Sequence, residues 1–213
     1  RESGPFLIST NIKGEFSKEL KIGTAKTKLN SVVRLGDGTV NLFESSTETL
    51  SGKKLVGRED GVLIKVSKAG AISSLVRSSA PRALRSWTSA TSTLFLTGSV
   101  RSGTNSESAI TKFTSSFAPT WTTRIASTGA TLAANGPNKS FYVALEPTAA
   151  IKGLSPIKLV KGQSFILQFD SKGLFVGAFS AAEMSAAKAI AYSAVGGLFL
   201  LTENGIFRVG GAR

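Results

Sequence analysis

The chain of 213 residues carries 26 Lys and Arg against 13 Asp and Glu, for a formal charge of +13, and contains neither His nor Cys. That length allows one large domain or two small ones with a real core. The missing residue types exclude Ser-His-Asp and Cys-His nucleophiles, disulfides, iron–sulfur ligation and nearly every transition-metal site.

In chain order, apolar runs of strand length alternate with Gly, Asn and Ser punctuation. An apolar run from Phe6 turns at Gly14 into a second through Phe16. A strand pair follows at Ser31–Leu35 and Thr39–Glu44 around Gly36-Asp37-Gly38, and then a run from Val62 turns at Gly70 toward Ile72. The two patterns recur: Ala83–Trp87 with Thr93–Gly98, then Ala109 through Phe117 and Pro119 to Trp121. They recur again as Ala130–Ala134 with Ser140–Leu145, then Phe165–Phe169 with Gly173 and Phe175. A stretch over Ser180–Lys188 is read as one or two helical turns, after which Ala189–Tyr192, Leu198–Thr202 and Gly205–Val209 complete the series. Gly14, Gly70 and Gly173 stand where a hairpin needs positive φ. The third copy has Phe117 at that place, so its turn is expected to run longer and differently.

Four short antiparallel strands repeated about every 50 residues predict an all-β, propeller-like fold of about four blades. The units span about 30–79, 82–128 and 130–180, with a fourth formed by 187–213 and closed by 1–22 into a single domain over 1–213. Both termini offer a third strand to that last blade, so two readings stay open: a four-blade ring with one strand displaced, or an arc of a larger propeller. A β-sandwich or trefoil of similar hairpins is the alternative architecture. Leu94-Phe-Leu-Thr-Gly98 with Ala109-Ile-Thr-Lys-Phe113 and Trp121, and Phe165-Ile-Leu-Gln-Phe-Asp170 with Gly173, resemble the SBBP-type bacterial β-propeller repeats. That resemblance implies a secreted or surface-attached bacterial protein with a binding or scaffolding role, and carries over no catalytic residue.

The chemistry left to such a chain is thin. The three Asp, Asp37, Asp60 and Asp170, sit in turn-like places where a short carboxylate caps backbone amides. Ser-x-x-Lys spacings at Ser51/Lys54, Ser155/Lys158 and Ser185/Lys188 are what chance gives in a chain this rich in both residues. No catalytic residue, metal ligand or cofactor is assigned.

Charge is more informative. It is shared almost evenly between the two halves, which does not favour a concentrated nucleic-acid groove. Local groups are Lys18, Lys21, Lys26 and Lys28; Lys53, Lys54 and Arg58; and Arg77, Arg82 and Arg85 leading into Trp87. The last is the candidate ligand site, because an Arg triplet beside an indole can combine anion pairing with stacking. The bland alternatives are solvated loop charges and a core Trp.

Charged residues make up only 18%, and with 29 Ser and 20 Thr this composition is common among exported proteins. No apolar run approaches the roughly 18 residues of a spanning helix. A chain that opens on Arg1 and ends Gly-Gly-Ala-Arg reads as a piece of a longer product. The expectation is an extracellular or cell-surface binding or scaffold module, for a polyanionic polymer such as a cell-envelope polymer, or for a protein partner. Two alternatives stand beside it: a carbohydrate-active or lyase-type propeller enzyme, and part of an intracellular propeller binding nucleic acid or protein.

Overall fold

The computed structural model describes residues 4–152 and 160–209. Its described residues form sixteen strands, all paired antiparallel where they are paired as strands, and one 3-10 turn at Pro137–Lys139. The chain divides into two compact units, 1–87 and 88–213.

In the first unit, β1 (Phe6–Thr10) and β2 (Phe16–Lys21) form a hairpin. The strands β3 (Thr27–Arg34), β4 (Val40–Ser46), β5 (Asp60–Val66) and β6 (Ile72–Ser78) form a four-stranded meander in sequence order. Pairing of Val40 with Val66, Leu42 with Ile64 and Glu44 with Val62 puts these side chains on one face. There Leu42, Val62, Ile64, Val66 and Leu75 pack with Ile22 and Leu50, and Leu7 and Leu20 of the hairpin cover them. The opposite face of the hairpin leaves Phe6, Ile8 and Phe16 about half exposed or more.

The second unit continues the meander pattern. Strand β7 (Leu84–Ala90), in which the unit boundary falls, is followed by β8 (Phe95–Ser102), β9 (Asn105–Phe113) and the long β10 (Pro119–Asn135). The first half of β10 pairs with β9, and its second half pairs with β11 (Phe141–Pro147), followed by β12 (Phe165–Phe169) and β13 (Phe175–Phe179). One strand therefore closes one meander and opens the next. At 128–130, where one repeat unit of the sequence gives way to the next, the backbone runs through as one strand, with a register shift between Ser127 and Thr131 and a positive φ of 101° at Gly129. A three-stranded sheet of β14 (Ala189–Ser193), β15 (Gly197–Thr202) and β16 (Gly205–Val209) completes the unit.

Alternation along β11 explains the packing: Phe141, Val143 and Leu145 join Phe95, Ile110, Ile125, Leu167 and Phe169 on one face. Tyr142 and Ala144 on the other face meet Ile166, Met184, Leu198 and Leu200. A strand buried on both faces is how an inner blade strand is sandwiched between neighbours. The Ser and Thr abundance is used here too. The Thr88 hydroxyl donates to Thr131 O at 2.6 Å, the Ser89 hydroxyl accepts from Ala133 N–H at 3.0 Å, and the Ser92 hydroxyl donates to Asn135 Oδ1 at 3.0 Å. Hydroxyls thus join β7 and the loop after it to β10, where no backbone ladder runs.

The outer hairpin turns share one geometry. The Gly70 N–H donates to Ser67 O at 2.8 Å and the Ser67 N–H to Ala71 O at 2.9 Å, with φ of 73° at Gly70. Gly14 and Gly173 repeat the arrangement at 80° and 85°. The third turn is neither longer nor different: Phe117 takes φ of 63° with the same two bonds, at 3.0 and 2.9 Å. Its ring is 2% exposed, and burial of an aromatic side chain, worth about 1.5–3 kcal/mol, offsets a left-handed penalty of about 1–2 kcal/mol. Residues 180–188 form hydrogen-bonded turns rather than a helix, with the Met184 N–H on Ala181 O at 3.0 Å and the Met184 side chain buried. Ser185 and Lys188 therefore share no helical face, and Lys188 pairs with Glu203 at 2.8 Å. Ser155 and Lys158 lie outside the described residues.

Candidate functional site

Of the four residues singled out in the sequence, Arg77 is the most deeply engaged. Strand β6 places it opposite Val62 on the covered face, with its side chain 6% exposed, and its Nη1 donates to Asp60 Oδ2 at 2.9 Å. Its Nε donates to Lys53 O at 3.2 Å and its Nη2 to Glu48 O. Asp60 opens β5, is fully buried, and accepts from Val56 N–H at 3.0 Å and Gly57 N–H at 2.9 Å. Burial pushes the Asp60 carboxyl up, but the Gly57 and Val56 amides and the Arg77 guanidinium together hold it below the ordinary Asp value.

These contacts staple one segment. Residues 47–59 connect β4 to β5, and Arg77 and Asp60 hold that connection at Glu48, Lys53, Val56 and Gly57. A second anchor lies at its start, where the Glu48 carboxylate accepts from Thr24 N–H at 2.8 Å and from the Thr24 and Thr27 hydroxyls at 2.9 and 2.6 Å. Burial raises Glu48 somewhat, and these donors outweigh it to hold the group ionised. At the far end, Arg58 N–H donates to Ala83 O at 2.8 Å, and a Cβ on Gly57 would lie 2.7 Å from Ala83 O. The segment is therefore pressed against the turn that carries Arg82.

The fold thereby brings together two basic groups that are separate in sequence. Lys53, Lys54, Arg58 and Arg82 are exposed on the stapled segment and the adjoining turn. Arg82 itself sits at φ of 63°. Arg85 is half-buried, with its guanidinium carbon 5.1 Å from the Trp87 ring centre. Trp87 is fully buried, and the absence of a side chain at Gly61 admits the indole: a Cβ there would lie 2.8 Å from Nε1. Arg77 and Trp87 are thus interior groups, and the exposed cations stand on what they support.

One buried group has no counterpart in the sequence reading. Glu44 is fully buried on the covered face of β4, in line with Leu42, and neither carboxylate oxygen has a hydrogen-bond partner. Burial alone pushes its carboxyl up to about 8, so it is mostly protonated at neutral pH. Only the register, with Leu42 and Val40 two and four residues before it, could have marked it. Asp37 and Asp170 behave as expected, accepting from Thr39 N–H at 2.9 Å and from Lys172 and Leu174 N–H at 2.8 Å. Among the described residues, no three acidic or other metal-binding side chains gather as a metal site, and no helix is long and apolar enough to cross a membrane.

No family model matches the chain, and no curated protein matches it in sequence. Solved structures do resemble it. A protein of unknown function from Bacteroides caccae aligns at a TM-score of 0.54 with 11% identity, over 90% of this chain and 62% of that one. BBS1N, solved in complex with ARL6DN, aligns at 0.52 with 13% identity, over 96% and 57%. The Dos1 propeller aligns at 0.43 with 11% identity, over 98% and 54%. The chain spans about three fifths of the length of the first two. At such identities the likeness to the first two concerns the fold alone, and the chain's own successive antiparallel meanders make it an all-β, propeller-like protein.

Proposed function

We propose that this protein is a non-catalytic binding or scaffold module whose basic surface takes polyanionic polymers, and that the contact surface is the stapled segment bearing Lys53, Lys54 and Arg58 together with Arg82. The observation that carries this reading is the Arg77–Asp60 pair. A buried ion pair is a poor way to gain stability but a good way to hold a segment in one shape, and the segment it holds displays cations. In this reading Arg77 positions, Arg85 and Trp87 support, and Arg82 touches the ligand. An acidic protein partner would use the same charges; BBS1N shows that a structure of this kind can be captured with a protein bound. Export to the cell surface or beyond, and kinship with SBBP-type bacterial repeats, belong to the same proposal and draw on the low charge density, the hydroxyl content and the strand motifs. Retention on an anionic polymer column beyond that of a charge-matched control, falling with salt, is the expected result; retention equal to the control's removes the reading.

A second reading, an arc of a larger propeller, is favoured by the β1–β2 hairpin. Its outer face exposes Phe6, Ile8 and Phe16, and Ile12 is fully exposed in its turn. It predicts self-association of the isolated chain in sedimentation velocity, relieved by Phe6→Ser with Phe16→Ser.

A further inference from the structure

Glu44, Asp60 and Arg77 share the covered face of the first meander. Glu44 pairs with Leu29 and Val62, and Val62 pairs with Arg77, so one row of side chains crosses β3 to β6 on that face. Glu44 and Arg77 are thus two strands apart, about 10 Å between backbones, a span within the combined reach of a Glu and an Arg side chain. The two carboxyl groups are unequally served. Asp60 has the Arg77 guanidinium and two amides, whereas Glu44 is fully buried with no hydrogen-bond partner at either oxygen. A neutral Glu44 needs no counter-charge, but an ionised one is tolerated in such a place only if a cation reaches it. Lys18 of the hairpin is tied to Ala69 O at 2.6 Å, and Arg34 is exposed opposite Val40, both toward the other end of the face. Lys53, Lys54 and Arg58 of the segment are exposed, and the Glu48 carboxylate is held by Thr24 and Thr27. Arg77 is left as the buried cation at this end, and its guanidinium carries five donors.

We propose that Glu44 is a second seat for the Arg77 guanidinium, and that its ionisation is a switch that releases the first half of the stapled segment. While Glu44 is neutral, Arg77 gives Nη1 to Asp60 and holds Lys53 O with Nε and Glu48 O with Nη2. When Glu44 loses its proton, the guanidinium keeps Asp60 and turns its other donors to the new carboxylate, because charge-assisted bonds are stronger than those to carbonyls. Both carbonyls are given up. Residues 48–53 are then freed, while the Val56 and Gly57 amides remain on Asp60. The burial that keeps Glu44 protonated at neutral pH places the change in mildly alkaline solution. Its effect on polymer binding rests on the function proposed above, but the release itself does not.

The test is limited trypsin digestion of the intact protein at pH 7 and pH 9, with an unstructured peptide of the same Lys53–Lys54 sequence as the rate reference. Relative to that peptide, cleavage after Lys53 and Lys54 should rise at least tenfold at pH 9, while cleavage after Lys65 within β5 stays unchanged. Glu44→Gln, which cannot ionise, should hold the pH 7 rate at both pH values, and Glu44→Leu serves in its place if the Gln variant folds poorly. Dextran sulfate affinity should fall at least threefold over the same range in the native protein alone, since Lys and Arg keep their charge to pH 9. Flat cleavage in the native protein, or an equal rise in Glu44→Gln, would overturn the switch. So would a parallel rise at Lys65, by showing that the meander opens as a whole. Faster cleavage at Lys53 and Lys54 with unchanged polymer affinity would uphold the switch and remove the polymer reading.

Discussion

In the first unit the covered face of β4–β6 carries Glu44, Asp60 and Arg77 among its aliphatic residues. In the second, β8, β11 and β12 place Phe95, Phe141 and Phe169 in a stack, with ring centres 3.8 and 4.9 Å apart and Trp121 edge-on to its two ends. Both follow the same strand grammar, but the materials have different uses. Stacked rings stabilise through carbon burial and pair geometry, without dictating what a nearby loop does. A buried ion pair contributes little net stability but fixes the backbone groups it touches, which here are those of residues 48–57. Buried polar groups for which packing alone has no need stand in the first unit, beside the segment that displays the cations.

The largest effect is expected at Asp60. Asp60→Ala leaves the Arg77 guanidinium buried without its carboxylate and two amides without their acceptor, and should destabilise the protein by about 3–5 kcal/mol in urea unfolding. Asp60→Leu combined with Arg77→Met should be much milder, while still losing polymer binding because the segment is released. If the double variant is as unstable as Asp60→Ala, the pair is a pillar of stability rather than a positioning device.

Glu44 gives a pH signature to the first unit. Its carboxyl titrates near 8 in the fold against an ordinary 4.5, so between those values the unfolded chain has released a proton that the fold keeps. The group's contribution therefore falls as pH rises from 4.5 to 8, by on the order of 5 kcal/mol, and is level on either side. Asp60 and Glu48, held below their ordinary values, act oppositely and only in acid, where their stabilisation is lost as pH falls through those lowered values. Urea midpoints at pH 5 and pH 8 should differ in the native protein, and Glu44→Gln should flatten that difference; an unchanged slope would show that Glu44 is not the titrating group.

A smaller effect is expected at Phe117. Phe117→Gly relieves the left-handed strain, worth about 1–2 kcal/mol, but removes a ring whose loss from a core costs about 3–5 kcal/mol, so net destabilisation of about 2 kcal/mol is expected. Gly70→Ala adds a methyl at φ of 73° and 2.8 Å from Lys18 Cδ, and should cost about 1 kcal/mol. A stabilised Phe117→Gly protein would show that local geometry, not burial, governs that turn.

These cases also show what was legible in the residues. Strand positions and the turns at Gly14, Gly70 and Gly173 could be read directly, because two-residue alternation and a residue tolerant of positive φ are local signals. Phe117 could not, since the burial that offsets its strain is a tertiary property that turn grammar does not carry. The same holds for Glu44, whose place on the covered face depends on register, and for Arg77, which reads as a surface cation until Asp60, 17 residues earlier, is seen beside it. The Lys53, Lys54 and Arg58 group and Arg82 could each be named, but what joins their segments is tertiary: the backbone bonds from Arg58 to Ala83 and from Arg85 to Glu59.

The most direct measurement is the salt dependence of dextran sulfate binding by three proteins of equal fold stability: the native chain, a first-unit variant with Lys53, Lys54, Arg58 and Arg82 changed to Gln, and a second-unit variant with Arg101, Lys139, Lys161 and Lys172 changed to Gln. The two variants lose the same charge. If the stapled segment is the contact surface, the first variant loses most of its affinity and its salt slope, while the second keeps both nearly intact. Equal losses in the two would contradict the account and make the +13 charge a property of the whole surface.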